Sequence, residues 1–497
     1  MKNPKLFLFI SLLVMATLML VACGGAADTA APAEEAAPTE EAAPAEDAPA
    51  EEEAAPEEES MEEPAGDKQT LKVWSFTNEF QTITTAFEER YPDVDVEFTM
   101  IPMTNGEYQT KLLSSLGTGD APDVVALEAA FVKEYVESDF LADVSDLKPK
   151  ADELGVFPFV TDVGTHDGVI KAYSWQATPG ALFYRRSLAQ EYFGTDDPAE
   201  IQALMSDFDK FQEAAAVIKE KSGGDTYTVA SSGDFTNLFW ANREQPWVVD
   251  GELVVDPMVA EYVKTAKTFR EEGYEAQATQ WQEGWFAGMN DTLVDAEGNS
   301  KKVFSYFLPT WGLPYVLAPN AVAADGSSDT SGDWGVIEGP LPYSWGGTWV
   351  GAMDGSEKLD LAKQFVEFSA LDEEHLTNWA TGVYTNEYLK AIDPDIPDDQ
   401  AQAAGDFVAS QVVVEKIVDG FDDSEMSAFL GGQNSYGGFA AAAPLISGEI
   451  LTGSDDAIQR ALQDPMNQYL NGDISEEELW ALWKDNIRIE FPDLIVN

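Results

Sequence analysis

One cysteine and two histidines are all that the 497 residues supply of the commonest nucleophile and metal-ligand side chains. A single Cys, at position 23, excludes an intramolecular disulfide and a thiolate metal cluster. His166 and His375 have no metal-ligand spacing, and each is expected to face solvent or to pack. Bases are scarce: 28 Lys and Arg against 90 Asp and Glu give a formal net charge of -62. Such a field repels nucleic acid and polyanions. It is compatible with a neutral or cationic ligand, or with a surface charged for solubility in a saline habitat, and the surface explanation is favoured. No Gly-x-Ser-x-Gly elbow accompanies a His at a credible station.

Long apolar runs are also missing, with one exception. Lys2 and Lys5 precede a run from Leu6 to Val21, short for a spanning helix and shaped like a secretory signal. It ends Leu20-Val21-Ala22-Cys23, which resembles a bacterial lipobox, where cleavage precedes the Cys and the new terminus is lipidated. Residues 1–22 are therefore expected to be a lipoprotein signal peptide; an ordinary signal with an incidental Cys is the alternative. From Ala26 to about Gly66 the chain is almost entirely Ala, Pro and Glu, with about fifteen acids and no base. It has no periodic apolar face to offset ordering entropy, so residues 23–67 are expected to be a lipidated Cys followed by a disordered tether. At ~3.1 Å per residue such a tether reaches on the order of 100 Å.

The body from Lys68 holds about 430 residues, still strongly acidic, too many for one core and enough for two lobes. Strands alternate with helices. TLKVWSF (70–76) alternates apolar and polar residues, and Thr77-Asn78 can open a helix from Glu79 to Arg90 with Phe80, Ile83 and Phe87 on one face. Val94 to Met100 alternates again, giving a βαβ start. Gly106 to Leu116 reads as a helix, Ala121 to Leu127 as a short buried strand with Glu128 beyond it. In open α/β sheets ligands bind past the carboxyl ends of strands, so a parallel sheet would bring Trp74, Asn78, Glu79 and Glu128 to one crevice. The stretch GTHDGVIKAYSWQATPGALFYRRS (164–187) places Trp175 and Gln176 before a Thr178-Pro179-Gly180 break, where Pro and Gly let a chain leave one sheet and enter another. A hairpin inside one domain is the plainer reading.

KVWSF, ERYPDVDVEF, GTGDAPDVVAL, GVIKAYSWQATPGALFYRRSL, GDWGVIEGPLP and WGGTWVGAMDGSEKLDLAKQFVEFSAL resemble, in this order, the extracellular solute-binding proteins of ABC importers, most closely the group of maltose- and other sugar-binding lipoproteins. The resemblance covers Lys68 to about Phe491. It implies an α/β, two-lobed periplasmic-binding-protein fold with two βα sheets joined by a multi-strand hinge and a ligand cleft between them. Residues 68–178 and 343–420 would form one lobe, 179–342 and 421–497 the other, with crossings near Thr178 to Leu182, Val336 to Pro342 and Val418 to Ser427. The helix Glu357 to Leu371, with Leu361, Phe365 and Phe368 at helical spacing, would return to the first lobe. Implied partners are a saccharide, permease subunits and the membrane through lipid on Cys23; a monomer on the outer face of the cell membrane is expected, with no cofactor, no metal and no nucleic acid.

Recognition without bond-making needs flat apolar faces for sugar rings and hydrogen-bonding groups for hydroxyls. The chain has 13 Trp; Trp74, Trp175, Trp240, Trp281, Trp285, Trp311, Trp345 and Trp349 sit beside Gly, Pro or polar residues, as a cleft lining would, though each could instead be core. By resemblance, Trp74, Asn78 and Glu79 match the first binding loop and Glu128 follows a ligand-bearing strand. Trp175, Gln176 and Thr178 sit at the first crossing. Trp311 and Tyr436 match stacking aromatics, and Trp345-Gly346-Gly347 resembles a loop that admits backbone close to ligand. Trp240 and Trp281 complete the expected set. Asn78 and Glu79 stand where maltose-binding proteins carry an acid-base pair, which puts maltose itself in doubt. A binder of an amine, polyamine or peptide, favoured by acidity and cation-π attraction, and an extracellular glycoside hydrolase are the competing readings.

Overall fold

Burial rises along Gln69–Ser75 (β1) until Val73, Trp74 and Ser75 are all enclosed, as for a strand entering the middle of a sheet. The computed structural model describes residues 68–392, 394, 406–422 and 424–497. The expected signal peptide, Cys23 and acidic tether lie outside the described residues. Eight more strands build two open sheets: β2 (Val94–Met100), β3 (Val124–Glu128), β4 (Ala172–Ser174), β5 (Gly180–Arg185), β6 (Thr226–Val229), β7 (Lys302–Pro309), β8 (Trp334–Ile337) and β9 (Thr348–Ala352). The first sheet runs β2-β1-β3-β9-β4 and the second β8-β5-β7-β6.

Strand direction decides where the loops go. β1 is parallel to β2 and β3, whereas β9 runs antiparallel to β3 and β4. The carboxyl ends of β1, β3 and β4 and the amino end of β9 therefore meet at one edge, with Thr348 opposite Glu128. In the second sheet β5 is antiparallel to β7 and β8, and β6 is parallel to β7. Gly180 pairs with Pro309 and Leu182 with Ile337. The start of β5 thus collects the ends of β7 and β8. The chain passes between sheets at residues 175–179 and again at 338–347, and both connections belong to these gathered ends.

Each sheet is covered by helices whose apolar spacing the sequence shows. Phe80, Ile83 and Phe87 of the helix Glu79–Arg90 are fully buried, and Phe87 lies 4.9 Å from Phe365 and 5.4 Å from Phe368 on the helix Leu359–Leu371. Burying each such ring contributes about 1.5–3 kcal/mol. β5 has helical cover on both faces: Ala181 and Phe183 belong to one core, Leu182 and Tyr184 to the other. In the second core the helices Asp455–Asn471 and Glu476–Glu490 pack with Pro257–Glu271, and Trp483 meets Trp247 edge-on at 5.7 Å. Among the described residues no helix is long and apolar enough to cross a membrane.

The Arg pair that ends β5 has two separate tasks. Arg185 is buried, holds Asp291 at 2.7 Å and Asp333 at 2.9 Å, and lies over the Trp334 ring. Arg186 donates to the carbonyls of Trp334 and Leu430, tying β8 to the segment that leads into the helix Ser435–Ala442. His375 is a packing residue: buried 4.5 Å from Phe368, with Nδ1 2.9 Å from the Tyr384 hydroxyl. Burial pushes its imidazole down to about 3. His166 closes the small hairpin Thr165–His166 and Val169–Ile170 and is half-exposed.

Candidate functional site

Three tryptophans from three segments meet beside the second connection: Trp281 before the helix Glu283–Met289, Trp311 after β7 and Trp345 within residues 338–347. Trp281 and Trp311 lie nearly parallel, 11° apart with centroids 6.2 Å apart. Trp345 stands edge-on to both, at 6.1 and 5.3 Å. Offset parallel and edge-to-face pairs are the favoured aromatic geometries, so the cluster holds itself together without being sealed. Trp281 is 48% exposed. The Trp311 indole N–H donates to the Trp345 carbonyl at 3.0 Å. Thr178 Oγ1 donates to the Gly346 carbonyl at 2.8 Å, joining the first connection to the second.

Gly346 has to be glycine. Its φ is +76°, and a Cβ there would stand 3.0 Å from Trp311 Nε1. Trp281 itself lies in the left-handed region at φ +64°, and Gln277 at +57°. A bulky residue there costs about 1–3 kcal/mol, and such strain collects at functional sites. The other non-glycine residues with positive φ are Asn or Asp, which tolerate the region. A cavity of about 540 Å³ opens from this loop, with Trp240, Trp281 and Trp345 in its walls. That volume falls within the about 300–1,000 Å³ of small-molecule sites.

Beneath the cavity a capping box starts the short helix Ser232–Phe235: Ser231 Oγ accepts from Gly233 N–H, and Asp234 accepts from Ser231 N–H. The second Asp234 oxygen accepts from Trp285 Nε1 at 3.0 Å, fixing the indole that packs 5.3 Å from Trp281. Burial pushes this carboxyl up to about 7. The Ser-x-x-Asp pattern of SSGD is the signal in the sequence that could have found this support.

A second group lies at the carboxyl end of β1. Glu79 accepts from Thr77 Oγ1 at 2.6 Å and shares a hydrogen bond with Asp406, whose other contact is Trp379 Nε1 at 3.1 Å. Two carboxyls so joined need a proton between them. Burial, then the charge of Asp406, push the Glu79 carboxyl up to about 8, and burial raises Asp406 as well. Tyr315, half-exposed in the helical turn Leu313–Leu317 after β7, has its hydroxyl raised by partial burial and then by the charges of Asp406 and Glu79. Neither Asp406 nor Tyr315 carries a motif that sequence reading could have used.

The remaining expected residues divide between cleft and core. Glu128 ends β3, accepts from Ala130 N–H at 2.7 Å and is pushed up to about 7 by burial. Asn78 precedes the helix Glu79–Arg90 half-buried, making no side-chain cap. Gln176 is buried where its backbone pairs with Val408. Tyr436 is 2% exposed, donates to the Asp406 carbonyl, stacks on Phe421 and lines a separate cavity of about 400 Å³ with Thr310. Trp175, at the start of the first connection, is fully buried between Phe80 and Trp379, and Trp74 lies in the first core with Lys111 over its ring, so neither indole lines the cavity. Trp285 and Trp349 are core residues too.

Two open α/β sheets joined by two connections, with an aromatic, polar-rimmed cavity beside the second connection, have the layout of a two-lobed binding protein. The profile of the bacterial extracellular solute-binding proteins matches residues 82–403, and the chain belongs to that family. Solved structures share the fold. An extracellular solute-binding protein of family 1 is 17% identical, covering 86% of this chain and 99% of its own, with a TM-score of 0.65. The sugar-binding protein MalE of Xanthomonas citri is 16% identical, covering 85% and 97%, with a TM-score of 0.62. The ABC-transporter-associated binding protein of B. animalis subsp. lactis Bl-04, solved with beta-1,6-galactobiose, is 20% identical, covering 86% and 100%, with a TM-score of 0.57. No curated protein sequence matches the chain.

Proposed function

We propose that this protein is the solute-binding component of an ABC importer, that it captures a sugar or oligosaccharide outside the membrane, and that it delivers it to a permease after the lobes close. The observation that carries the reading is the Trp281-Trp311-Trp345 cluster, of which Trp281 and Trp345 wall a cavity rimmed mainly by amides and hydroxyls. Flat aromatic faces take the C–H side of a pyranose, and uncharged polar groups match its hydroxyls. Similar folds solved with galactobiose and lacto-N-biose support a saccharide. Cys23, lipidated, would hold the receptor at the outer face of the membrane by the acidic tether.

A cationic solute is the second reading, favoured by the Glu79-Asp406 pair beside Tyr315. Thermal unfolding against mono- and oligosaccharides, amines and peptides separates the readings, because a ligand of the folded form raises the midpoint. A rise with one glycan class, with that glycan recovered intact, is the expected result. A rise with amines alone moves the assignment to the second reading, and conversion of a glycan to smaller sugars overturns transport.

A further inference from the structure

The cavity does not stop at the tryptophans. It continues over the second sheet's helices as a groove, and we infer that this groove is an extension subsite that reads the chain of a neutral oligosaccharide along the helix Asp455–Asn471. The inference rests on the saccharide reading above. Gln459, Gln463 and Asn467 recur every four residues, so they share one face of that helix, and all three line the groove. At 1.5 Å rise per residue they span about 12 Å, more than one sugar ring needs. Asn237 and Gln277 line the same cavity from other segments.

The amides that line the groove are not engaged by the protein. Among the described residues, none of the five has a side-chain hydrogen bond to protein. Each therefore keeps both an acceptor and a donor free, the combination that sugar hydroxyls complement. The floor between the walls is apolar: Trp240, Leu462 and Met466. Trp240 is locked edge-on to Tyr262 at 5.0 Å and to Trp247 at 5.5 Å, so its orientation is fixed before ligand arrives. The charges in the groove are already answered. Arg460 pairs with Asp456, and Arg270 pairs with Glu275 and donates to Asn471. With its cations paired, the groove has little to hold an anionic chain, whereas a neutral chain finds amides on two sides and an indole beneath.

The test is calorimetric binding of malto-oligosaccharides and galacto-oligosaccharides, from mono- to hexasaccharide, to the purified full chain in a detergent that contains no sugar. Affinity should grow with chain length beyond the disaccharide. The double substitution Gln463→Ala with Asn467→Ala, at two exposed positions, should cost the longer probes more affinity than the monosaccharide. It should weaken the longest bound probe about tenfold, the equivalent of losing about two hydrogen bonds. Asn237→Ala, on the facing wall, should reproduce part of that loss, which separates a ligand contact from a local change in the helix. Affinity that levels off at the disaccharide, or variants that bind every length like the parent, overturn the subsite while leaving the saccharide reading intact. If no probe of any length binds the parent chain, the saccharide reading falls and the subsite with it.

Discussion

Replacing Glu79 by Gln tests whether the carboxyl pair at the end of β1 holds a proton. The amide oxygen of Gln can still accept from Thr77 Oγ1, and its N–H can donate to Asp406, so the substitution imitates the protonated acid. In the parent, the carboxyl is raised from 4.5 to about 8. Below the unfolded value both states bind the proton, and the shared hydrogen bond contributes fully. As pH rises from about 4.5 to about 8 the unfolded chain releases its proton first, so stability is lost across that window. Fully expressed, the shift corresponds to about 5 kcal/mol at 1.36 kcal/mol per pH unit. Asp406 takes part in the same proton, so the single substitution should recover a part, about 2 kcal/mol. An unfolding entropy of about 2.1 cal/mol/K per residue over about 430 residues converts this to about 2 °C. The assay is thermal unfolding of parent and Glu79→Gln at about pH 5 and about pH 9 at constant ionic strength. Comparing the two proteins at each pH cancels the general repulsion of this acidic chain. The variant should melt level with the parent in acid and above it in alkali. An equal difference at both pH values, or a variant less stable in alkali, refutes the shared proton.

Three other substitutions probe the site and its supports. Trp311→Ala should weaken saccharide binding about tenfold or more while the fold persists, since the ring is only partly buried; unchanged affinity with a lowered midpoint would make Trp311 a core residue. Gly346→Ala should destabilise by about 1–2 kcal/mol, because φ +76° disfavours a Cβ, and should weaken binding by displacing Trp311; the circular dichroism melt and the titration read the two effects separately. Arg243→Met removes the buried partner of Asp455, 2.6 Å away, and the cation over Trp247. A loss of about 3–5 kcal/mol is expected in denaturant titration at neutral pH, shrinking toward acid as Asp455 takes up a proton.

What the sequence reveals follows the range of the forces involved. The βαβ start was legible because alternation in β1 and β2 and the Phe80-Ile83-Phe87 spacing are local patterns. The Thr178-Pro179-Gly180 break was legible because backbone restraint is local too; a Cβ on Gly180 would fall 2.0 Å from the Tyr343 ring. The tryptophans were harder. Trp175 and Trp311 both sit beside loop residues, yet one is fully buried under Trp379 and the other is only partly buried, against Trp281 and Trp345. Strand order and direction within the sheets, which no periodicity encodes, decide which loop arrives where. The Glu79-Asp406 contact joins residues more than three hundred positions apart and leaves no mark on either. The acidity of the whole chain hides it further, since one Asp among so many gives no signal.

Recognition and the connections between the sheets use the same residues, and this bears on how closure would follow binding. Gly180 N–H donates to the Tyr343 carbonyl at 2.7 Å, Pro179 pairs with Ser344, Trp345 N–H donates to the Thr178 carbonyl, and Thr178 Oγ1 returns to Gly346. The two connections are thereby zipped side by side, and Trp345 projects from the seam. A ligand that rests on Trp345 and Trp311 touches the moving part itself, so its contacts differ between open and closed arrangements. That difference is the only route by which binding shifts a conformational equilibrium. Taking such an equilibrium from about one part in a hundred closed to the reverse needs about 5.5 kcal/mol of differential affinity. A stacking contact of about 0.5–1.5 kcal/mol cannot supply it alone. Several hydrogen bonds made only on closure must add to it, each worth about 0.5–1.5 kcal/mol. The groups we propose make them are Glu79 and Glu128 at strand ends of the first sheet, and Gln277 with the amides of the helix Asp455–Asn471 beside the second. A ligand too short to reach both edges would bind the tryptophans and leave the lobes where they were.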